Sequence, residues 1–191
     1  MQEFFQIIKQ PLFNEAGFVT GIIGLINNVT EYELLKKRLR EQAITDELTG
    51  LYNRAFLDEF VKTHDDDCYP LAIISADCDG LKAINDTYGH VAGDEYIKAA
   101  VELFRMVLPP KCILFRMGGD EFLVLLPGTS EETALHLVEQ LKEKQKLFQV
   151  RNKQLSVSFG VSVMGSRADN FHTRFTESDR NMYLEKRAKQ R

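Results

Sequence analysis

The chain has 191 residues, with 24 Lys and Arg against 28 Asp and Glu and a formal net charge of −4. An apolar share of 44% beside 27% charged residues excludes disorder as a description of the whole. The mild acidity argues against binding to a nucleic-acid polymer, which needs a basic footprint for phosphates. The best apolar run, Gly17 to Ile26, is broken by Thr20 and three glycines. It falls far below the ~18–20 residues of a membrane span, so no membrane contact is expected within this chain. The opening MQEFFQ lacks the basic region and long apolar core of a secretory signal. Cys68, Cys78 and Cys112 are odd in number and have no CxxC spacing. They read as reduced thiols in a cytoplasmic setting, not as a disulfide framework or a zinc site.

Taken in chain order, residues 4–28 read as a hairpin in which FFQIIKQPLF and FVTGIIGLI flank the polar turn Asn14-Glu15-Ala16-Gly17. Two strands alone cannot bury a core, so this hairpin is expected to be the tail of a larger sheet whose start lies outside the chain. Thr30 and Glu33 stand three apart, in the manner of a capping box, before the charged helix LLKKRLREQAI. Leu35, Leu39 and Ala43 recur on one side of it, as in a solvated linker helix or a short dimerising coil.

From Asp46 the chain is denser. PLAIISAD (70–77) reads as a buried strand, and Lys82–Tyr88 and Gly93–Leu108 as helices. CILFRM (112–117) and EFLVLLP (121–127) are strands joined by a tight Gly118-Gly119-Asp120 turn. Ser130–Leu147 reads as an amphipathic helix, LSVSFGVSVM (155–164) as an alternating strand and Thr176–Lys189 as a closing helix. This order predicts an α+β domain, a mixed sheet with helices packed against it.

Carboxylates gather where strands end. Asp77 and Asp79 close the apolar strand, and Asp120 and Glu121 sit in the glycine hairpin. A charge at the end of a buried strand is costly unless compensated, and a hard cation with oxygen ligands would compensate it. For Asp79 a turn-forming or capping role is an equal alternative. Cys78-Asp79-Gly80-Leu81-Lys82 runs from strand end to helix start, where free amides and the helix dipole make a phosphate cradle. It is not a GxxxxGK[ST] loop. Asn85 and Asp94 flank Tyr88-Gly89-His90. A carboxylate can accept two hydrogen bonds from the N1–H and N2–H₂ edge of guanine. By itself, however, Asp94 after Gly93 also reads as a helix cap, and His90 as structural.

These residues resemble a known family. GGDEF stands verbatim at Gly118–Phe122 behind Arg116, with DELTGLYNR (46–54) and DCDGLKAINDTYGHVAGDE (77–95) upstream in the expected order. The stretch 46–189 resembles the diguanylate cyclase catalytic domain of the GGDEF family. The hairpin, ending in GxxxGxxGLINNVTE, more loosely resembles the last strands of a PAS sensor. The implied organisation is a truncated PAS-like hairpin at 1–29, a signalling helix at 30–45 and a GGDEF domain at 46–191.

The resemblance implies a fold akin to nucleotidyl cyclases and polymerase palms, with a mostly antiparallel central sheet flanked by helices. It implies condensation of two GTP, one on each subunit of a homodimer, into cyclic di-GMP with loss of pyrophosphate, under an N-terminal sensor. By position Asp77, Asp120 and the Cys78 carbonyl match its metal ligands for Mg²⁺, with Mn²⁺ the alternative. The amides of Gly80, Leu81 and Lys82 match its phosphate loop, Asn85 and Asp94 its guanine readers, and Lys186 its phosphate-binding lysine. Glu121 is the candidate base or second-metal ligand. Because adjacent strand residues face opposite ways, Asp120 is expected to be the firmer ligand of the two. The alternative function is a silent GGDEF domain that holds GTP or a protein partner as a regulatory module.

Three positions depart from the family pattern. The inhibitory RxxD window reads Pro109-Pro110-Lys111-Cys112, the often aromatic first loop residue is Gly80, and the arginine expected four residues after Lys186 is Gln190, with Arg191 adjacent.

Overall fold

Strand formers on both sides of a polar turn close a hairpin of β1 (Phe5–Phe13) and β2 (Val19–Asn28), paired antiparallel. Asn14 Oδ1 accepts the amides of Ala16 and Phe18, and Gly17 takes a left-handed φ of 83° that a β-carbon would strain. Every residue of β1 is exposed, Phe5, Ile7, Ile8 and Phe13 among them. Helix α1 (Thr30–Ile44) follows, with Leu34, Leu35 and Leu39 exposed. The capping box does not form. Thr30 Oγ1 accepts the Phe4 amide at 2.8 Å, the Thr30 amide turns to Asn28 Oδ1, and the Glu33 amide bonds the Val29 carbonyl. The neighbouring chain start takes the hydroxyl that the helix would otherwise use.

The computed structural model describes residues 2–189, and the chain divides into two units, Met1–Ala43 and Ile44–Arg191. In the second unit α2 (Arg54–Thr63), β3 (Leu71–Cys78), α3 (Leu81–Tyr88) and α4 (His90–Val107) are followed by β4 (Ile113–Gly118) and β5 (Glu121–Leu126). After them come α5 (Glu131–Lys144), the two-residue strands β6 (Gln149–Val150) and β7 (Lys153–Gln154), β8 (Val157–Met164) and α6 (Phe171–Lys189). The sheet order is β4-β5-β3-β8, and its ladders are antiparallel throughout. The sheet is therefore not mixed; the parallel element is an isolated bridge between Tyr52 and Phe115.

Two-residue periodicity divides the core. Ala72, Ile74, Ala76 and Cys78 face α3, α4 and α5 together with Phe122, Val124, Phe159 and Val161. Leu71 and Ile73 face the other way with Phe115, Leu123 and Leu125, under α2 and α6. A strand covered on both faces reads as a continuous apolar run, which is why residues 70–77 carry so clear a signal. Each fully buried Leu or Ile contributes about 1.5–3 kcal/mol.

Helix α2 was not anticipated, although Asn53 and the spacing of Phe56, Leu57, Phe60 and Val61 signal it. Asn53 Oδ1 accepts the amides of Ala55 and Phe56. Helix α4 begins at His90 behind Gly89, so Asp94 lies inside it and caps nothing. Helix α6 begins at Phe171, five residues ahead of expectation, and α5 ends at Lys144 in a 3₁₀ turn. The three cysteines are free thiols. Among the described residues no helix is long and apolar enough to cross a membrane.

α6 approaches the sheet most closely at Gly160. A β-carbon there would stand 2.1 Å from the Ser178 carbonyl oxygen and 2.2 Å from the Met182 nitrogen, both backbone atoms. Gly160→Ala is therefore expected to push α6 off β8 and to destabilise the domain by about 2 kcal/mol or more, read as a lower denaturant midpoint.

Candidate active site

The site is built on the inner end of β3. Register pairs Asp77 with Glu121 on one side and Ser158 on the other, and the Cys78 amide bonds the Asp120 carbonyl at 3.0 Å. Cys78–Asp120 is thus a bonded position and Asp77–Glu121 a non-bonded one, where facing side chains come closest. Glu121 shares the sheet face of Asp77 and is exposed, whereas Asp120 stands in the turn, half-buried. Glu121 also lines a cleft of about 260 Å³ with Arg54, Ser75, Met117, Phe175 and Asp179.

Asp77 is 6% exposed, and its Oδ1 accepts a hydrogen bond from Lys186 Nζ at 2.6 Å. Burial pushes its carboxyl above the usual range, against the Lys186 hydrogen bond and with help from the charges of Asp120 and Asp79. On Lys186 burial works downward, but the hydrogen bond and charge of Asp77 prevail and raise it. Burial likewise pushes the Cys78 thiol far up, so its sulfur is an inert core atom, which leaves its backbone carbonyl as the group able to meet a cation.

Asp79 lies in the turn after β3, but its carboxylate serves neither as a helix cap nor in the turn's own hydrogen bonding. Its carboxylate accepts Ser156 Oγ at 2.7 Å, Ser158 Oγ at 2.8 Å and Lys189 Nζ at 3.1 Å, while its amide bonds the Ser156 carbonyl. It ties the loop to β8 through three donors.

Gly80 follows with a left-handed φ of 76° and caps α3 without a side-chain hydrogen bond. The first-turn amides of α3, including Leu81 and Lys82, therefore end in an open helix N-terminus, a place for an anion. At the far end of α3, Asn85 Oδ1 is buried without a hydrogen-bond partner. It lies against Gly93, where a β-carbon would stand 1.9 Å from that oxygen. Asp94 is the next residue and is exposed, so the two polar groups flank one crossing of α3 and α4. Asn85 Oδ1 is thus a buried acceptor without a donor, and Asp94 is an exposed acceptor one residue beyond the glycine on which Asn85 packs.

The role of Arg116 was missed. Its guanidinium bonds both oxygens of Asp46 at 3.1 Å and donates twice to the Gly119 carbonyl, at 3.1 and 2.8 Å. Asp46 in turn accepts the amide and hydroxyl of Thr49. Burial lifts the Asp46 carboxyl, but the hydrogen bonds from Thr49 and Arg116 outweigh it and hold the group below its ordinary value. The glycine turn, with φ of 146° at Gly118 and 55° at Gly119, is thus clamped to residue 46. One opposite charge in each of two motifs was the available signal. The expected phosphate contact at Gln190 or Arg191 lies outside the described residues.

A family model described as diguanylate cyclase, GGDEF domain, matches residues 43–191. The chain belongs to the GGDEF family of diguanylate cyclases. A Vibrio cholerae diguanylate cyclase is 32% identical to this GGDEF chain over 191 residues, covering 96% of the chain and 59% of that protein. Diguanylate cyclase DgcP of Pseudomonas aeruginosa is 35% identical over 156 residues, covering 78% and 23%. The chain therefore spans less than two thirds of either relative. Among solved structures, the coiled coil and GGDEF domain of Caulobacter crescentus DgcB in complex with c-di-GMP superposes with a TM-score of 0.70 at 26% identity, covering 83% of this chain and 90% of that one. The GGDEF fold, a helix-flanked antiparallel sheet, is the one described above.

Gly93→Ala is expected to displace the Asn85 side chain or push α4 off α3 and to lower the melting temperature by a few degrees, read by thermal unfolding followed by circular dichroism.

Proposed function

We propose that the chain is the catalytic part of a diguanylate cyclase that condenses two GTP into cyclic di-GMP and two pyrophosphates. The observation that carries the reading is the verbatim GGDEF turn, clamped by Arg116, beside a buried Asp77 and the uncapped N-terminus of α3. The names of the relatives support it.

Members of this family generally use a divalent metal, and Mg²⁺ or Mn²⁺ is the reading here. Among the described residues no three His, Cys, Asp or Glu side chains form a protein-only metal cage. That suits Mg²⁺, which takes one or two carboxylates and completes its shell with phosphate oxygens and water. A carboxylate raised first by burial and further by the charge of Asp120 fits such a donor set. Asp77, Asp120 and the Cys78 carbonyl would hold the ion, which when bound neutralises the pyrophosphate leaving group and acidifies the attacking 3′-hydroxyl. Gly80, Leu81 and Lys82 hold the β- and γ-phosphates through their amides, and Lys186 adds a positive charge to them. Asn85 and Asp94 read the guanine edge, and adenine would leave Asp94 facing a ring nitrogen acceptor. Glu121 takes the proton from the 3′-hydroxyl.

One domain holds one GTP, so catalysis needs two chains facing each other. In this reading the hairpin at 1–29 is the end of a PAS-like sensor domain and residues 30–45 are the helix that transmits its state to a catalytic domain at 46–191. Incubation with GTP and Mg²⁺ followed by chromatography for cyclic di-GMP tests the activity. Asp77→Ala and Asp120→Ala are expected to abolish turnover with circular dichroism intact; normal rates in either variant would overturn the assignment.

The feedback site of the family has no counterpart here. Pro109 to Cys112 form the turn before β4, where the Cys112 amide bonds the Pro109 carbonyl and a bidentate arginine is missing. Lys111 offers only a point charge. Cyclic di-GMP is therefore expected not to inhibit at micromolar levels, so progress curves slow only as GTP is consumed or pyrophosphate accumulates. Product titration of the GTP-free protein would contradict this if it showed a tight site that Lys111→Ala removes.

A further inference from the structure

Lys186 is the cation that reaches Asp77 among the described residues, and it does so at one oxygen of a carboxylate only 6% exposed. Its backbone has little freedom to retreat. One turn on, Lys189 donates to the Val157 carbonyl at 2.7 Å and to Asp79 at 3.1 Å. On the preceding residue, Glu185 pairs with Lys142 and accepts the Phe159 amide. With α6 pinned on both sides, the movable part is the four-carbon stem of Lys186, which carries a compact ammonium that can swing between anions. We infer that Lys186 serves as the resident cation of Asp77 in the nucleotide-free protein, competing with a divalent ion until a triphosphate gives the lysine another anion.

The inference rests on the reading of Asp77 as a metal ligand and adds an order to it. A divalent ion beside an ammonium already on the same carboxylate meets like-charge repulsion in a largely dehydrated place. Removing Lys186 removes that repulsion but leaves a buried anion without a partner, a strong incentive to bind any cation. With nucleotide the sign reverses, because Lys186 then contributes to holding phosphate. The lysine thus couples the two ligands, and coupling between binding sites is reciprocal. An ordinary structural ion pair would show no such reversal.

Mn²⁺ titration of the 191-residue chain without nucleotide, with free ion followed by electron paramagnetic resonance, reads the effect. The titration is run at about pH 8, because bound carboxylates must be ionised. Lys186→Met is expected to bind Mn²⁺ about ten-fold tighter than the wild type, the scale of one charged hydrogen bond. Lys186→Arg, which keeps the charge, is expected to stay near the wild type. Mn²⁺ should also raise the melting temperature of Lys186→Met more than that of the wild type. With a non-hydrolysable GTP analogue and saturating Mn²⁺ the ranking should invert, Lys186→Met binding the analogue more weakly. Lys186→Gln carries the same comparison if the Met variant does not fold. An affinity that depends on Asp77 but is not raised by Lys186→Met would overturn this inference alone. Mn²⁺ binding that Asp77→Asn leaves untouched would overturn the metal reading of Asp77 and this inference with it.

Discussion

A carboxylate at the end of a strand buried on both faces has to be compensated, and much of this domain is arranged around that requirement. β3 is covered by helices on either side, so Asp77 arrives at the rim with little water to solvate it. The nearest compensation comes from Lys186, more than a hundred residues away in sequence. α6 must therefore dock on β8 and β3 before the site exists, and Gly160 lets its backbone come close enough. A pair with a buried carboxylate adds little net stability, but removing either partner is costly. Its cost to the fold is understandable if Asp77 is kept for the chemistry proposed here.

The antiparallel register makes the second selection. Because Asp77 stands opposite Glu121 and Ser158, the acids of two motifs share one rim without any loop having to hold them there. Asp79, two residues further on, is drawn away by Ser156, Ser158 and Lys189. Two aspartates with the same appearance in sequence thus receive opposite assignments, one held near ligand space and one used as a fastener. The glycine turn is fixed in a similar way by Arg116, which reaches from Asp46 to the Gly119 carbonyl and restricts where Asp120 can lie.

Much of this was legible in the sequence because the signals were local. The continuous apolar run of β3, the alternation of β8 and the Gly-Gly turn each express a backbone period or a φ requirement that nearby residues satisfy. The GGDEF turn and its two upstream motifs carry the family resemblance by themselves, and the family model matches that same stretch. Helix α2 carries an equally local signal in the Asn53 cap and the spacing of Phe56, Leu57, Phe60 and Val61.

What only the tertiary structure decided were contacts between distant charges and close approaches between backbones. No period relates Lys186 to Asp77, Arg116 to Asp46, or Lys189 to Asp79, since each pair meets through packing of separate elements. Thr30 illustrates the same limit at short range, where the Phe4 amide won a hydroxyl that local spacing had reserved for a helix cap. Gly93 shows it for a side chain without charge, because its value lies in the Asn85 amide on the next helix and not in its own φ. The sequence by itself determined which acids, amides and glycines exist and in which elements they lie. The packing of α6 and α4 against their neighbours decided which of those groups is satisfied and which is left free for a ligand, because burial sets the cost of each unpaired charge and only the assembled core fixes burial.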